Sequence, residues 1–140
     1  MNALKDLVEY GVLGILLVLS LWAVAVAIAR FVHYRRVDVV VWPRRVELEA
    51  DLTEGLTLIA TVAANAPYVG LLGTVLGIML TFQSLGASGD MDVKSIMTGL
   101  ALALKATAAG LLVAIPCVAL NNALRRRVRV LLARWDACHG

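Results

Sequence analysis

The stretch of sequence that decides the fold is residues 55–89, which read GLTLIATVAANAPYVGLLGTVLGIMLTFQSLGASG and contain no charged side chain. As an α-helix this stretch would extend for roughly 53 Å, since each residue adds about 1.5 Å. The hydrocarbon core of a bilayer is only about 30 Å thick, so a helix of this length crosses it and projects beyond it. We expect the excess to project into the cytoplasm and a kink to form at Pro67, which has no N–H to donate to the preceding turn.

Two further stretches, residues 10–29 and 106–124, also lack Asp, Glu, Lys and Arg, and each has about the 20 residues that a spanning helix needs. The chain has 140 residues, of which 61% are hydrophobic and 16% are charged. This composition excludes an ordinary soluble enzyme with a large core of its own. We therefore predict an all-α membrane protein with three transmembrane helices. The two cysteines, Cys117 and Cys138, give no disulfide framework, and neither a metal site nor a cofactor is predicted.

Lys and Arg residues are unevenly distributed between the predicted spans. Five follow the first span and five occupy the C-terminal tail, whereas the N-terminus and the region between the second and third spans have one each. The positive-inside rule therefore predicts an outer N-terminus, an outer loop at residues 86–92, and a cytoplasmic C-terminus. We predict four segments along the chain. They are the first span with its basic end (residues 1–36), a cytoplasmic connector that is helical after Pro43 (37–54), the second and third spans (55–124) and a basic cytoplasmic tail (125–140).

Small residues recur at steps of three and four along the second and third spans, which places them on one side of each helix. Lipid offers no hydrophobic gain when helices associate, so spans are held together by close backbone approach along such stripes. We therefore predict helix packing for the glycines of both stripes. These are Gly70, Gly73, Gly77, Gly99 and Gly110.

Three threonines, Thr74, Thr81 and Thr107, lie within the same two spans. A threonine in a transmembrane helix commonly returns its hydroxyl to the carbonyl one turn earlier. The alternative is that the hydroxyls provide a polar lining for a pore or a proton path. Both interpretations remain open at the level of the residues alone.

Lys105 is an ionisable side chain about ten residues into the third span, where an unpaired charge is unfavourable. It must extend to the interface, contact anionic lipid, meet a carboxylate or border water. The uncharged stretches contain no Asp or Glu, so we expect the counter-charge to come from another subunit, from lipid or from a small ion.

The C-terminal tail is basic and amphipathic, with apolar residues interleaved among its arginines. We expect it to lie against anionic lipid rather than to bind nucleic acid. The arginines for which we predict lipid or partner contact are Arg125, Arg126 and Arg127.

Two segments carry a resemblance to a known family. Residues 66–79 read APYVGLLGTVLGIM and residues 104–116 read LKATAAGLLVAIP. In this order, and with three spans, they resemble the ExbB/TolQ/MotA family, the proton-channel subunits of motors driven by the proton-motive force. The chain is more similar to the ExbB and TolQ members than to MotA, and it looks like a short form of ExbB. One position departs from the family pattern, because Leu102 stands where a Glu is usual, and no role of that Glu is carried over.

The resemblance implies a homopentamer in the inner membrane of a Gram-negative bacterium, with the second and third spans around a central pore. The pore would hold an ExbD-like single-span partner with a protonatable Asp, and Thr74 and Thr107 match the family's pore-facing threonines. It further implies proton-driven energising of a TonB-like protein for outer-membrane uptake of iron chelates or vitamins, without enzymatic chemistry. Two alternatives remain: a TolQ-like subunit for outer-membrane integrity, and a non-conducting scaffold whose glycine stripes only assemble an oligomer.

Overall fold

The computed structural model describes residues 2–89 and 92–139, and these residues form helices joined by short connections. Three of the helices are long and apolar enough to cross a membrane, which confirms the predicted all-α architecture with three candidate spans. The helices, in chain order, are α1 (Asn2–Arg36), a 3₁₀ turn (Val39–Val41), α2 (Arg45–Leu52), α3 (Leu56–Ser88) and α4 (Val93–His139).

Both α3 and α4 are longer than a bilayer is thick. With 33 residues α3 extends for roughly 50 Å, and with 47 residues α4 extends for roughly 70 Å. The basic tail is thus the last part of α4 rather than a separate element. At its other end α3 continues to Ser88, through the first residues of the predicted outer loop, and is capped by Gly89 with a positive φ of 70°. Residues 90 and 91 of that loop lie outside the described residues.

Pro67 lies inside α3, and the helix is assigned without interruption on both sides of it. The side chain of Asn65, just before the proline, donates a hydrogen bond of 2.8 Å to the carbonyl of Thr61. A bend of α3 at Pro67 stays a prediction.

One side of α1 packs against α3 and α4, while its remaining surface is exposed. The buried residues of α1 recur at intervals of about one or two helical turns: Val12, Leu16, Ala23, Ala27 and Tyr34. The exposed surface carries large apolar side chains such as Leu17, Leu21 and Trp22. A helix that is apolar all round is typical of a membrane span.

A hydrophobic cluster joins the connector to the spans at the end of the bundle where α1 finishes. The leucines of α2, Leu48 and Leu52, are 0% exposed within it. From α4 the cluster takes Val128, Leu131 and Leu132, the apolar residues of the tail. The expectation that this amphipathic surface lies against lipid is therefore wrong for its apolar side, which the connector covers. The predicted helix after Pro43 is confirmed as α2.

Polar contacts reinforce this end of the bundle. At the C-terminus of α2, the carbonyl of Asp51 accepts a hydrogen bond from Arg30 and that of Leu52 accepts one from Tyr34. The carboxylate of Asp51 lies 2.6 Å from Nε2 of His33. These bonds satisfy helix-terminal carbonyls that have no partner within α2, and they fix the connector against α1.

Candidate functional site between the second and third spans

The α3–α4 contact is closest at Gly70 and Gly110, where backbone meets backbone. A Cβ atom on Gly70 would lie 2.6 Å from the carbonyl oxygen of Ala106, and one on Gly110 would lie 2.7 Å from that of Ala66. Both distances are shorter than van der Waals contact. A side chain at either position would therefore force the two helices apart.

Gly73 marks the level at which all three long helices meet. A Cβ atom there would lie 2.8 Å from Cβ of Ala106 on α4 and 2.9 Å from Cγ1 of Val12 on α1. Gly77, one turn further along α3, faces Ala103, whose Cβ would be 3.0 Å away. The glycines of α3 that the spacing selected thus lie where the neighbouring helices approach.

Thr74 and Thr107 form a hydroxyl pair across this contact. Oγ1 of Thr74 lies 2.9 Å from the carbonyl oxygen of Ala103 and 3.3 Å from that of Gly70, and it is hydrogen-bonded to the hydroxyl of Thr107. Thr74 is only 7% exposed, whereas Thr107 is half-buried. Thr74 therefore lies in the interior of the α3–α4 contact, and Thr107 lies at its partly exposed surface.

Thr81 differs from this pair in its surroundings. It is 3% exposed, and its hydroxyl donates a 2.8 Å hydrogen bond to the carbonyl of Gly77. A Cβ atom on Gly99 of α4 would lie 2.6 Å from its methyl carbon. This geometry favours packing for Thr81, since its hydroxyl is satisfied within its own helix.

Lys105 has a charge partner within the chain. Its Nζ lies 3.6 Å from Oε1 of Glu9 on α1, and the two side chains are 60% and 20% exposed. The expectation that the counter-charge must come from outside the chain is therefore wrong. The physical reason is that the helix of the first span extends beyond the uncharged stretch, and its polar first turns run beside α4.

Glu9 also lies close to Gly73 and Ala106, the residues that directly precede Thr74 and Thr107 in the sequence. It lines a small cavity of about 20 Å³ together with Leu102, Gly73 and Ala106. Leu102 is the position that departs from the family pattern described in the sequence analysis. The carboxylate near Leu102 is that of Glu9, which belongs to α1. The spacing of residues along the third span does not predict a carboxylate from another helix.

The predicted contact arginines lie at the start of the tail. Arg125 donates a 3.1 Å hydrogen bond to the side chain of Asn121, and Arg126 is exposed. Arg127 is half-buried and lines a cavity with Tyr34 and Arg35 of α1. Among residues 2–89 and 92–139, no three His, Cys, Asp or Glu side chains are grouped to hold a metal ion.

The three long apolar helices, with a glycine-lined contact and a hydroxyl pair between the last two, define a polytopic membrane protein with a polar site inside its spans. The chain belongs to the MotA/TolQ/ExbB proton channel family, whose sequence profile matches residues 44–137. This is a family of channel and transport subunits and not of enzymes.

Relatives named ExbB or ExbB-like resemble the chain over nearly its full length. The biopolymer transport protein ExbB of Aquifex aeolicus is 54% identical over 140 residues, which are 100% of this chain and 95% of that protein. The putative biopolymer transport protein ExbB-like 2 of Helicobacter pylori is 49% identical over 136 residues, or 97% of this chain and 91% of that protein. The Tol-Pal system protein TolQ of Pseudomonas aeruginosa is 41% identical over 87 residues, or 62% of this chain and 38% of that protein. The chain is thus an ExbB-like biopolymer transport protein, and its three spans and these relatives support an inner-membrane location.

Proposed function

We propose that this chain is the ExbB-like subunit of an inner-membrane complex that uses the proton-motive force to energise active transport across the outer membrane. Iron chelates and vitamins are the proposed cargo classes. The observation that carries the proposal is the Thr74–Thr107 hydroxyl pair, which bridges α3 and α4 inside an otherwise apolar contact. Similarity to ExbB proteins over the full chain supports the same function.

In the proposed assembly, five copies surround a central pore that α3 and α4 line. An ExbD-like single-span helix with a protonatable Asp occupies the pore, and a TonB-like protein receives the resulting motion. The small-residue contact between α3 and α4 supports this assignment, because it holds the two lining helices of each copy as one rigid unit.

The hydroxyl pair has the hydrogen-bond donors and acceptors that are needed to bind a partner that carries a proton. Thr74 has one proton to donate and two carbonyl oxygens within reach, those of Ala103 and Gly70. When Thr74 donates to either carbonyl, Thr107 donates to Thr74 and keeps lone pairs to accept another bond. The half-buried oxygen of Thr107 would then accept a hydrogen bond from a protonated carboxyl group or from water. Such bonds are strengthened in the low dielectric of a membrane interior.

The proposed orientation has a periplasmic N-terminus and a cytoplasmic connector and C-terminus. It rests on the excess of Lys and Arg in the connector and the tail. In this orientation Arg125, Arg126 and Arg127 lie at the cytoplasmic surface, where anionic headgroups and partner segments are within reach.

A TolQ-like role in outer-membrane integrity is the second candidate, and the 41% identity to TolQ of Pseudomonas aeruginosa favours it. That similarity covers 38% of the TolQ protein, whereas the ExbB similarity covers 95% of its relative. We therefore place the ExbB-like role first.

The test is uptake of an iron chelate by cells that lack this chain, complemented with wild type, Thr107→Val or Thr98→Val. Thr98 is a matched control on α4, because it is exposed and its hydroxyl donates to the carbonyl one turn earlier, that of Lys94. We expect uptake to be lost on deletion, restored by wild type and by Thr98→Val but not by Thr107→Val, and abolished by a protonophore. Uptake that survives deletion, with the cells becoming sensitive to detergent, would contradict the ExbB-like role and support the TolQ-like one.

A further inference from the structure

An apolar groove runs along the surface between α1 and α4 at the end of the bundle that carries the connector. It has a volume of about 310 Å³ and is partly open to the surroundings of the helices. Its walls are aliphatic and aromatic, formed by Val24, Ile28 and Phe31 of α1 and by Leu120, Ala123 and Leu124 of α4.

Towards the connector end this groove shares a lining residue, Phe31, with a second cavity that has basic walls. The second cavity has a volume of about 210 Å³ and is lined by Tyr34, Arg35 and Arg127, with Phe31 shared between the two. The guanidinium carbon of Arg35 lies 5.3 Å from the ring centroid of Phe31. Two guanidinium groups therefore lie near one end of the apolar groove.

Neither guanidinium is paired with a carboxylate among residues 2–89 and 92–139. The ion pairs within the described part of the chain involve other basic residues, and none includes Arg35 or Arg127. Each guanidinium carries five N–H donors in a planar fork that matches a phosphate group. The second cavity thus offers an anion two cationic partners.

The position of the arginines along the helices matches a membrane surface. Arg35 is the last residue but one of α1, and Arg127 is the third residue of the tail, shortly after the third uncharged stretch. A ligand that fills both cavities needs a hydrocarbon chain and an anionic head separated by a short linker. Basic pockets between transmembrane helices commonly bind such lipid headgroups.

We propose that the α1–α4 groove is a binding site for an anionic glycerophospholipid, with an acyl chain in the groove and the phosphate between Arg35 and Arg127. The bound lipid links the first span to the third where the protein's own side chains leave a gap. The proposal rests on the membrane location of the chain and does not depend on proton conduction or on the identity of the cargo.

The test is lipid binding to the purified full chain, delipidated in a nonionic detergent and followed by native mass spectrometry. Dioleoylphosphatidylglycerol is compared with dioleoylphosphatidylcholine, which has the same acyl chains but no net charge. We expect saturable binding of the anionic lipid, about tenfold tighter than that of the zwitterionic one, and a loss of about tenfold in Arg35→Gln/Arg127→Gln.

Two further variants separate this site from general attraction to a basic surface. Arg36→Gln/Arg129→Gln removes the same charge from exposed neighbours that do not line the groove, and it should bind the anionic lipid as wild type does. Ala123→Phe fills the groove and should weaken binding of both lipids while the helix content by circular dichroism stays unchanged. Equal losses in the two arginine double variants would overturn the proposal, as would full binding by Ala123→Phe. Efficient disulfide formation between copies carrying Ala123→Cys would also overturn it, because a second copy would then cover the groove.

Discussion

The ammonium group of Lys105 on α4 lies 3.6 Å from the carboxylate of Glu9 on α1. This ion pair joins the first and third spans beside the cavity that Leu102 and Gly73 also line. Without it, each charge would stand alone next to apolar helices, where the desolvation of an unpaired ion is unfavourable. The pair therefore explains how a lysine is tolerated so far inside the third span.

Breaking the Glu9–Lys105 pair should show energetic coupling. We expect Glu9→Gln and Lys105→Met each to destabilise the protein, and the double variant to be less destabilised than their sum by about 1 kcal/mol. The measurement is a double-mutant cycle of the free energy of unfolding, followed by helix content during titration of detergent micelles with SDS. The exposed pair Arg44–Glu47 at 3.7 Å is the matched control and should show no coupling. Additive effects at Glu9 and Lys105 would contradict the account.

Substitution of a contact glycine should separate α3 from α4. Gly110→Ala places a methyl group 2.7 Å from the carbonyl oxygen of Ala66, so we expect a loss of about 1–3 kcal/mol in unfolding free energy. Gly86→Ala, in α3 with open space around the new methyl, should stabilise by about 0.5–1 kcal/mol through the helix preference of alanine. SDS titration of both variants measures the difference. Equal stabilities for the two would mean that the helices do not touch at Gly110.

The connector cluster should contribute strongly to stability. Leu48 is 0% exposed, so Leu48→Ala should lower the unfolding free energy by about 2–5 kcal/mol through the cavity it leaves. Val46, two residues earlier on α2, is 78% exposed, and Val46→Ala should change stability by about 0.5 kcal/mol or less. Similar small effects at both positions would show that the connector does not pack on the tail in solution.

The sequence was sufficient to predict the spans and the stripes. An uncharged stretch longer than a bilayer leaves few alternatives to a spanning helix, and the steps of three and four place Gly70 and Gly110 on helix faces that can meet. The class of protein follows from these two features together with the motifs around Thr74 and Thr107.

Other features needed the structure, for physical reasons. The uncharged stretch of the first span begins after Glu9, but the helix itself continues through the charged residues before it, so the absence of charge does not indicate the Glu9–Lys105 pair. The tail residues Val128 and Leu131 have the same periodicity whether lipid or the connector covers them. Their partner was therefore not predictable from spacing. Thr107 likewise cannot be distinguished from Thr81 by residue type, although their surroundings differ.

The most direct test of the central claim is proton flux through the protein reconstituted with the proposed ExbD-like single-span partner in liposomes under an imposed proton gradient. An internal pH-sensitive dye reports the flux, and each variant is compared at equal amounts of assembled complex. We predict partner-dependent flux for wild type and Thr98→Val, and a reduction of about tenfold or more for Thr107→Val, which cannot donate to Thr74 or accept from a protonated carboxyl group. Undiminished flux through Thr107→Val would contradict a role for the hydroxyl pair in the proton path. Absence of flux in assembled wild-type complexes would instead support a scaffold that does not conduct.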